Sequence, residues 1–233
     1  MSGKKNKYFV ELDEWNPQET LCNKFFSMII SGSRREGKSY MIKHIYETCN
    51  FGQEYDFVAV FSENTDNIDF YSEFVHGSLF FDHYDTDVID RIKQLNEAFE
   101  LKGIQKKFLL IMDDCMGNSK NEENFKKLYA QGRHMNISII FSIQKATLID
   151  TTARNNSDVV MICRSKSAME KTSIIDNFMK GTAEEEDMKG MKEDKFHRKL
   201  MKDYCKDYQF LVLDYMNSSS NEFTDIVKKY KAE

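Results

Sequence analysis

The sequence predicts an α/β fold in which a mostly parallel central sheet is covered by helices on both faces. Short apolar runs, typical of strands buried on both sides, alternate with longer stretches in which apolar residues recur every three or four positions. In addition, residues 31–40, SGSRREGKSY, match the phosphate-loop pattern G-x-x-x-x-G-K-[ST] and stand between an apolar run and a helical stretch. Strands divided by helices in this order are typical of parallel sheets.

The strands and helices of this core follow from the same patterns. The predicted strands are the apolar runs at 25–31, 55–62, 107–114, 137–144 and 158–164. The predicted helices cover 39–49, 86–101 and 123–135. Proline occurs once and glycine ten times, so the composition indicates no flexible linker. We therefore predict one domain over 1–233 with its core at about 20–165.

Residues 166–233 differ in character from this core. The stretch 181–207 is dense in charged residues, which favours a peripheral, solvated helical excursion over a dedicated DNA-binding element. A late strand is predicted at 208–215, where the apolar run YQFLVLDY follows the charged stretch.

Composition and charge narrow the function classes. The chain has 233 residues, 41% of them hydrophobic and 30% charged, as in an ordinary soluble globular protein. No apolar run approaches the roughly 18 residues of a membrane span, and the first residues lack a signal sequence, so we expect an intracellular protein. The net charge of −5 argues against wholesale coating of nucleic acid, although a local basic face or the inside of a ring can still hold a duplex.

The glycine loop is the strongest functional motif. Its backbone N–H groups and the start of the next helix favour phosphate, Lys38 is expected to reach the β- and γ-phosphates, and the Ser39 hydroxyl is expected to bind Mg²⁺. Arg34 and Arg35 are expected to point outward, either to solvent or to a neighbouring subunit. The predicted ATP-binding residues are Gly32, Ser33, Arg34, Arg35, Glu36, Gly37, Lys38, Ser39 and Tyr40.

A pair of acids supplies the second half of the predicted site. In FLLIMDD, an apolar strand carries Asp113 and Asp114 at its carboxyl end, where ligands bind in open α/β sheets. Asp113 is expected to hold the Mg²⁺ shell, and Asp114 to orient or activate the attacking water. This arrangement predicts hydrolysis of the nucleotide.

Gln144 and two arginines complete the catalytic candidates. The chain resembles the additional-strand class of P-loop NTPases, in which the strand between the acidic and glycine motifs bears a polar sensor of the γ-phosphate; Gln144 suits that role, with Ser142 as the alternative. Arg133 and Arg154 flank the same strand, and an arginine delivered to a neighbouring subunit's γ-phosphate stabilises transition-state charge. The sequence does not choose between these two arginines.

Taken together, SGSRREGKSY, FLLIMDD, GRHMNISIIFSIQ and ARNNSDVVMICR resemble the poxvirus-type genome-packaging ATPases of the FtsK/HerA superfamily over about residues 20–165. The resemblance implies an ATP- and Mg²⁺-dependent motor that forms a homo-oligomeric ring, pentameric or hexameric, and moves double-stranded DNA without sequence specificity into a capsid. It also implies a capsid-vertex or membrane partner and a place in the infected cell's cytoplasm or virus factory, or in the virion. The family commonly has glutamate where this chain has Asp114, which is one methylene shorter.

Two other functions remain open from the sequence. A nucleotide or nucleoside kinase uses the same glycine loop, although neither an arginine-rich lid nor the cysteine pairs of zinc-bearing thymidine kinases is evident. An ATP-dependent virion-assembly switch is the other alternative. If the protein is a ring-shaped motor, the lysines between Lys189 and Lys206 are candidates for channel residues that grip phosphates.

Overall fold

The structure is a computed structural model that describes residues 10–77, 79–115, 128–130, 132–218 and 222–232. Within these residues one sheet has the strand order β3-β2-β4-β5-β1-β6-β7-β8. Its strands are Ser27–Ser31 (β1), Phe57–Phe61 (β2), Leu79–Phe81 (β3), Phe108–Asp113 (β4), Ile137–Ile143 (β5), Val159–Ile162 (β6), Gln209–Asp214 (β7) and Val227–Lys231 (β8). The strands from β3 to β6 in this order pair in parallel, whereas β7 and β8 are antiparallel additions.

Helices connect the strands and cover the sheet. The α-helices are Pro17–Leu21 (α1), Lys38–Thr48 (α2), Phe51–Glu54 (α3), Thr65–Ser72 (α4), Thr86–Glu100 (α5), Thr151–Asn155 (α6), Ala168–Ile174 (α7), Glu185–Met188 (α8), Glu193–Tyr204 (α9) and Phe223–Ile226 (α10). Residues 128–130 are also helical, a π turn Ile175–Met179 continues α7, and 3₁₀ turns cover Gly132–Met135 and Ala146–Leu148. Side-chain caps fix where two of these helices begin. The Asn64 and Asp85 side chains accept hydrogen bonds from backbone N–H groups in the first turns of α4 and α5, respectively.

The hydrophobic core lies on both faces of the sheet, as the apolar strand runs predict. Every residue of β1, β4, β5 and β6 is buried. Alternate residues of each strand join opposite layers, so Ile29 packs in the layer that contains α5, and Ile30 packs in the layer that contains α2. The predicted fold class is confirmed, including the position of β5 between the acidic strand and the glycine-loop strand.

The structure differs from the sequence prediction mainly outside the parallel strands. Helix α9 is not a solvated excursion, because one of its faces carries Phe196, Leu200 and Tyr204 into the core. The sequence prediction also omits the short strand β3 and the last strand β8. Of the helix predicted over 123–135, residues 123–127 and 131 lie outside the described residues, and the last four residues form a 3₁₀ turn. Within the described part of the chain, no helix has the length and apolar character needed to cross a membrane.

Candidate active site

The glycine loop joins β1 to α2 at the carboxyl edge of the parallel strands. A Cβ atom on Gly32 would lie 2.1 Å from the Cys163 sulfur, so only glycine allows this close approach of the loop to the end of β6. Gly37 has a φ of +85° and caps α2 without a side chain. The two glycines therefore let the chain turn sharply and leave the first N–H groups of α2 available to an anion.

The segment after β6 holds this loop in place. The backbone N–H of Ser33 donates to the Arg164 carbonyl oxygen, and the Ser33 hydroxyl accepts from the Lys166 N–H at 2.9 Å. The Lys166 ammonium also pairs with Glu36 at 3.0 Å. Lys38 is buried, and its Nζ donates to the carbonyl oxygens of Gly32 and Ser33, each at 3.1 Å. The Lys38 amine therefore lies over the loop, where phosphate oxygens can compete with these carbonyls for it.

The two predicted halves of the site meet at Asp113, the last residue of β4. The Ser39 hydroxyl donates to Asp113 Oδ2 at 2.6 Å. The same oxygen accepts from the Asn67 amide at 3.2 Å and from the Tyr71 hydroxyl at 3.1 Å, both on α4. Tyr71 is fully buried, and burial together with the neighbouring Asp113 charge raises its pKa well above its ordinary value. Tyr71 therefore stays a neutral donor to Asp113.

Asp114 occupies a strained position immediately after β4. Its φ of +57° is unusual for a residue with a side chain, and it turns the carboxylate towards Gln144 at the end of β5. The Gln144 amide donates to Asp114 Oδ2. Burial first, and the Asp113 charge second, raise the pKa of Asp114 above its ordinary value. The alternative sensor, Ser142, is fully buried inside β5 and does not line the cavity that Gln144 lines.

These groups line one open cavity of about 390 Å³. The predicted residues on its wall are Arg34, Arg35, Gly37, Lys38, Ser39, Tyr40, Asp113, Asp114 and Gln144. Arg34 and Arg35 are exposed at the cavity. The Ser39 hydroxyl and the Asp113 carboxylate are hard oxygen donors, and the hydrogen bond between them holds both at this wall. This donor set fits Mg²⁺, which prefers oxygen ligands and binds proteins through one or two carboxylates together with phosphates.

Arg133 and Arg154 lie elsewhere. Both line a second cavity at the amino ends of β5 and β6, where Arg133 Nη1 bonds Asp158 at 2.8 Å. Arg154 bonds the Thr151 hydroxyl. The seven residues of β5, at roughly 3.3 Å each, separate the turn that carries Arg133 from Gln144 by about 23 Å. Neither arginine therefore joins the glycine-loop cavity of its own chain, and the predicted action on a neighbouring subunit stays a prediction.

The sequence prediction missed the contribution of α4. Asn64, Asp66 and Asn67 line the glycine-loop cavity, and Asn67 bonds Asp113 directly. A signal for this was present, because polar residues directly follow β2, a buried strand that pairs with β4. The carboxyl ends of adjacent parallel strands meet at one edge of a sheet, so residues that follow such a strand are site candidates.

The known sequences that this chain resembles include proteins of large DNA viruses. Residues 15–222 match the family model described as Poxvirus A32 protein. The chain is 23% identical over 209 residues to protein 015R of Frog virus 3 (isolate Goorha), and it is 25% identical over 207 residues to protein 088R of Invertebrate iridescent virus 3. Each match covers 88% of this chain, but the first covers 61% and the second 75% of the relative's length.

Solved structures share the fold. The genome packaging NTPase B204 from Sulfolobus turreted icosahedral virus 2, in complex with ATP-gammaS, superposes with a TM-score of 0.62 at 18% identity and covers 90% of this chain and 98% of B204. The pCW3 conjugation coupling protein TcpA superposes with a TM-score of 0.56 at 11% identity, over 97% of this chain and 70% of TcpA. The chain therefore has the P-loop NTPase fold of these proteins.

Proposed function

Because the chain belongs to the poxvirus A32 protein family, we propose that it is an ATP-hydrolysing motor that moves double-stranded DNA into a viral capsid. The observation that carries this proposal is the 2.6 Å hydrogen bond from Ser39 to Asp113, since it joins the phosphate-binding loop to the acidic strand at one cavity. Similarity to a protein described as a genome packaging NTPase supports the same reading. Family membership favours this function over the nucleotide-kinase alternative.

The residues of the cavity have distinct roles in the proposed hydrolysis. The N–H groups at the start of α2 and the Lys38 amine bind the phosphates of ATP. Ser39 and Asp113 would hold Mg²⁺, which when bound neutralises charge on the phosphates. Asn67 and Tyr71 keep the Asp113 carboxylate oriented through two neutral hydrogen bonds.

Asp114 and Gln144 act on the attacking water. The Gln144 amide donates to one Asp114 oxygen, so the carboxylate is held in one orientation and its remaining lone pairs can accept a proton from water. The raised pKa of Asp114 makes its carboxylate a stronger base than an ordinary aspartate. The position of Gln144 on the same wall also supports a second proposed role, contact with the γ-phosphate.

A ring of identical subunits accounts for the arginines at the amino edge of the sheet. Arg133 and Arg154 line a cavity at the amino edge of the parallel strands, opposite the edge that carries the glycine-loop cavity of their own chain, so any action on a γ-phosphate requires a neighbouring subunit. A ring also lets a few lysines per subunit face a central channel, where they would grip phosphates without reading bases, while the net charge stays at −5. The capsid-vertex or membrane partner and the site of action in the infected cell or virion belong to the same proposal.

Steady-state ATP hydrolysis with and without long double-stranded DNA tests the proposal. We expect Mg²⁺-dependent hydrolysis that DNA stimulates severalfold and that Lys38→Ala abolishes. If an oligomeric sample hydrolyses ATP at the same rate with and without DNA, the result would contradict the motor function and would favour the assembly switch. Transfer of phosphate to an added nucleoside or nucleotide would favour a kinase.

A further inference from the structure

A third cavity, distinct from the one that Arg133 and Arg154 line, opens beside the glycine-loop cavity. It measures about 590 Å³ and is lined by Gly37, Tyr40, Met41, Tyr208, Phe210 and Lys231 among others. Gly37 and Tyr40 also line the phosphate cavity, so the two cavities adjoin at the start of α2. The phosphate cavity is walled by charged and amide groups, whereas this one is walled largely by aromatic and aliphatic side chains.

Two tyrosines at this cavity expose their rings to solvent. Tyr40 is 53% exposed and Tyr208 is 64% exposed, although most large apolar and aromatic side chains in the described residues are buried. A ring carbon of Tyr208 lies 3.0 Å from the position that a Cβ on Gly37 would take, so the ring rests against the glycine loop itself. Exposed aromatic rings in a cavity are the usual stacking platforms for nucleic-acid bases.

The backbone holds Tyr208 in an unusual conformation. Asp207 and Tyr208 have φ values of +52° and +60°, two consecutive left-handed residues of which neither is glycine. A bulky aromatic residue rarely adopts this conformation, which persists only where the surrounding structure imposes it. Here the buried ends of α9 and β7 fix the turn on both sides, so the ring is presented to the loop by the packed core.

We propose that this cavity binds the purine base of the nucleotide, with the base stacked on Tyr208 and flanked by Tyr40. This inference rests on the proposed ATPase function. Ser39, Asp113 and Asp114 line the phosphate cavity, and the γ-phosphate is expected beside them. The neighbouring cavity shares Gly37 and Tyr40 with the phosphate cavity and holds none of these three γ-phosphate residues, so it is the place we assign to the nucleoside.

The size and chemistry of the cavity suit this occupant. Small-molecule sites in proteins are mostly apolar clefts of roughly 300–1,000 Å³ with few polar groups, and this cavity has Asp207 and Lys231 as its charged lining residues. An acceptor and a donor of this kind can meet the polar edge of a base. The antiparallel strands β7 and β8, which supply Phe210 and Lys231, thereby complete the nucleotide site instead of merely extending the sheet.

Binding of ATP and of inorganic tripolyphosphate to the full chain, measured by titration calorimetry with Mg²⁺, separates the base from the phosphates. Tyr208→Ala should weaken ATP binding about tenfold, because a lost aromatic–base stack has that order of effect, and should leave tripolyphosphate binding within about twofold. Tyr208→Phe, which keeps the ring, should bind ATP like the wild type. Leu101→Ala serves as the control, because it removes an apolar side chain that is 89% exposed far from the loop.

Each outcome of these binding measurements either supports or overturns the base site. Selective loss of ATP binding in Tyr208→Ala, with a normal Tyr208→Phe, supports the base site. Unchanged ATP binding in Tyr208→Ala overturns it, and so does an equal loss of ATP and tripolyphosphate binding, since that indicates a distorted loop. A wild-type protein that binds neither ligand, or that binds both equally in Lys38→Ala, overturns the proposed ATPase function and the base site with it.

Discussion

A buried aspartate bonded to a serine lies at the amino edge of the parallel strands and another at their carboxyl edge, but the remaining partners of the two aspartates differ in charge. At the amino edge, Asp158 accepts from the Ser27 hydroxyl at 2.9 Å and pairs with Arg133 at 2.8 Å. At the carboxyl edge, Asp113 accepts from Ser39, and its other donors among the described residues are the neutral amide of Asn67 and the hydroxyl of Tyr71.

This difference separates a structural acid from one that can bind a cation. A buried carboxylate is costly unless it is paired, so the arginine at the amino edge satisfies Asp158 within the chain. Neutral donors orient Asp113 without cancelling its charge, and that charge remains available for Mg²⁺ and its phosphates. The same pair of residue types thus belongs to the scaffold at one edge and to the proposed active site at the other.

Replacing Asp113 or Asp158 by asparagine tests this comparison, and these variants have the largest expected effects. Asp113→Asn should lower Mg²⁺-dependent hydrolysis about a thousandfold while the fold remains intact, because only the metal-binding charge is lost. Asp158→Asn should instead lower the free energy of unfolding by about 2 kcal/mol, since it leaves Arg133 without its partner. Hydrolysis assays and urea unfolding of both variants measure these effects, and equal loss of activity in the two variants would refute the distinction.

Asp114→Asn should lower turnover without weakening ATP binding. The amide cannot accept the water's proton, so we expect kcat to fall about a hundredfold while ATP binding changes less than about twofold. Asp114→Glu, which restores the residue common in the family, is the matched variant and should retain turnover. Normal turnover in Asp114→Asn would show that another group activates the water.

Mixing two inactive variants tests whether the amino edge acts on a neighbouring subunit. A Lys38→Ala subunit has no working nucleotide site but keeps Arg133, whereas an Arg133→Ala subunit keeps its nucleotide site. In rings assembled from equal amounts of the two variants, about a quarter of the subunit interfaces would combine an intact nucleotide site with an intact Arg133. Activity should therefore reappear on mixing. If mixtures stay inactive while Arg154→Ala complements Lys38→Ala, Arg154 is the arginine that acts in trans. Failure of both mixtures would contradict action of either arginine on a neighbouring subunit.

The smallest expected effect is a pH-dependent gain in stability. Because the pKa of Asp114 is raised in the folded state above the ordinary value of 3.8, its ionised form destabilises the fold. Its favourable contribution is present below that ordinary value and is lost as the pH rises through the raised pKa. Asp114→Asn should thus raise Tm by a few degrees at neutral pH and by less near pH 4. A Tm difference that does not change with pH would contradict the raised pKa.

The sequence predicts five of the six parallel strands of the described sheet, and it places the central residues of the candidate site at their carboxyl ends. Buried strands in a parallel sheet are continuous apolar runs, and the residues at their carboxyl ends, such as Asp113 and Gln144, are therefore easy to place. The family resemblance is confirmed as well. The roles assigned to individual residues at the carboxyl edge stay predictions that the variants above test.

The remaining features depend on contacts between distant segments. Strand β8 has the sequence VKKYK. Its lysines are typical of an exposed edge strand, and with only two buried residues among them the segment shows no apolar run that would predict a strand. In the sequence, Tyr71 and Asn67 are typical residues of an amphipathic helix. Their contact with Asp113 arises only because the strand order of the sheet places α4 beside that residue. Likewise, nothing local marks Tyr208, which reaches the glycine loop only because β7 pairs with β6.

Displacement of a third strand from a DNA triplex tests the proposed motor function most directly, because it reports movement along the duplex separately from hydrolysis. The wild-type protein should displace the strand only with ATP and Mg²⁺, and Lys38→Ala and Asp113→Asn should fail although they are folded. DNA-stimulated hydrolysis without any strand displacement, in a sample that forms rings, would contradict a motor that moves double-stranded DNA.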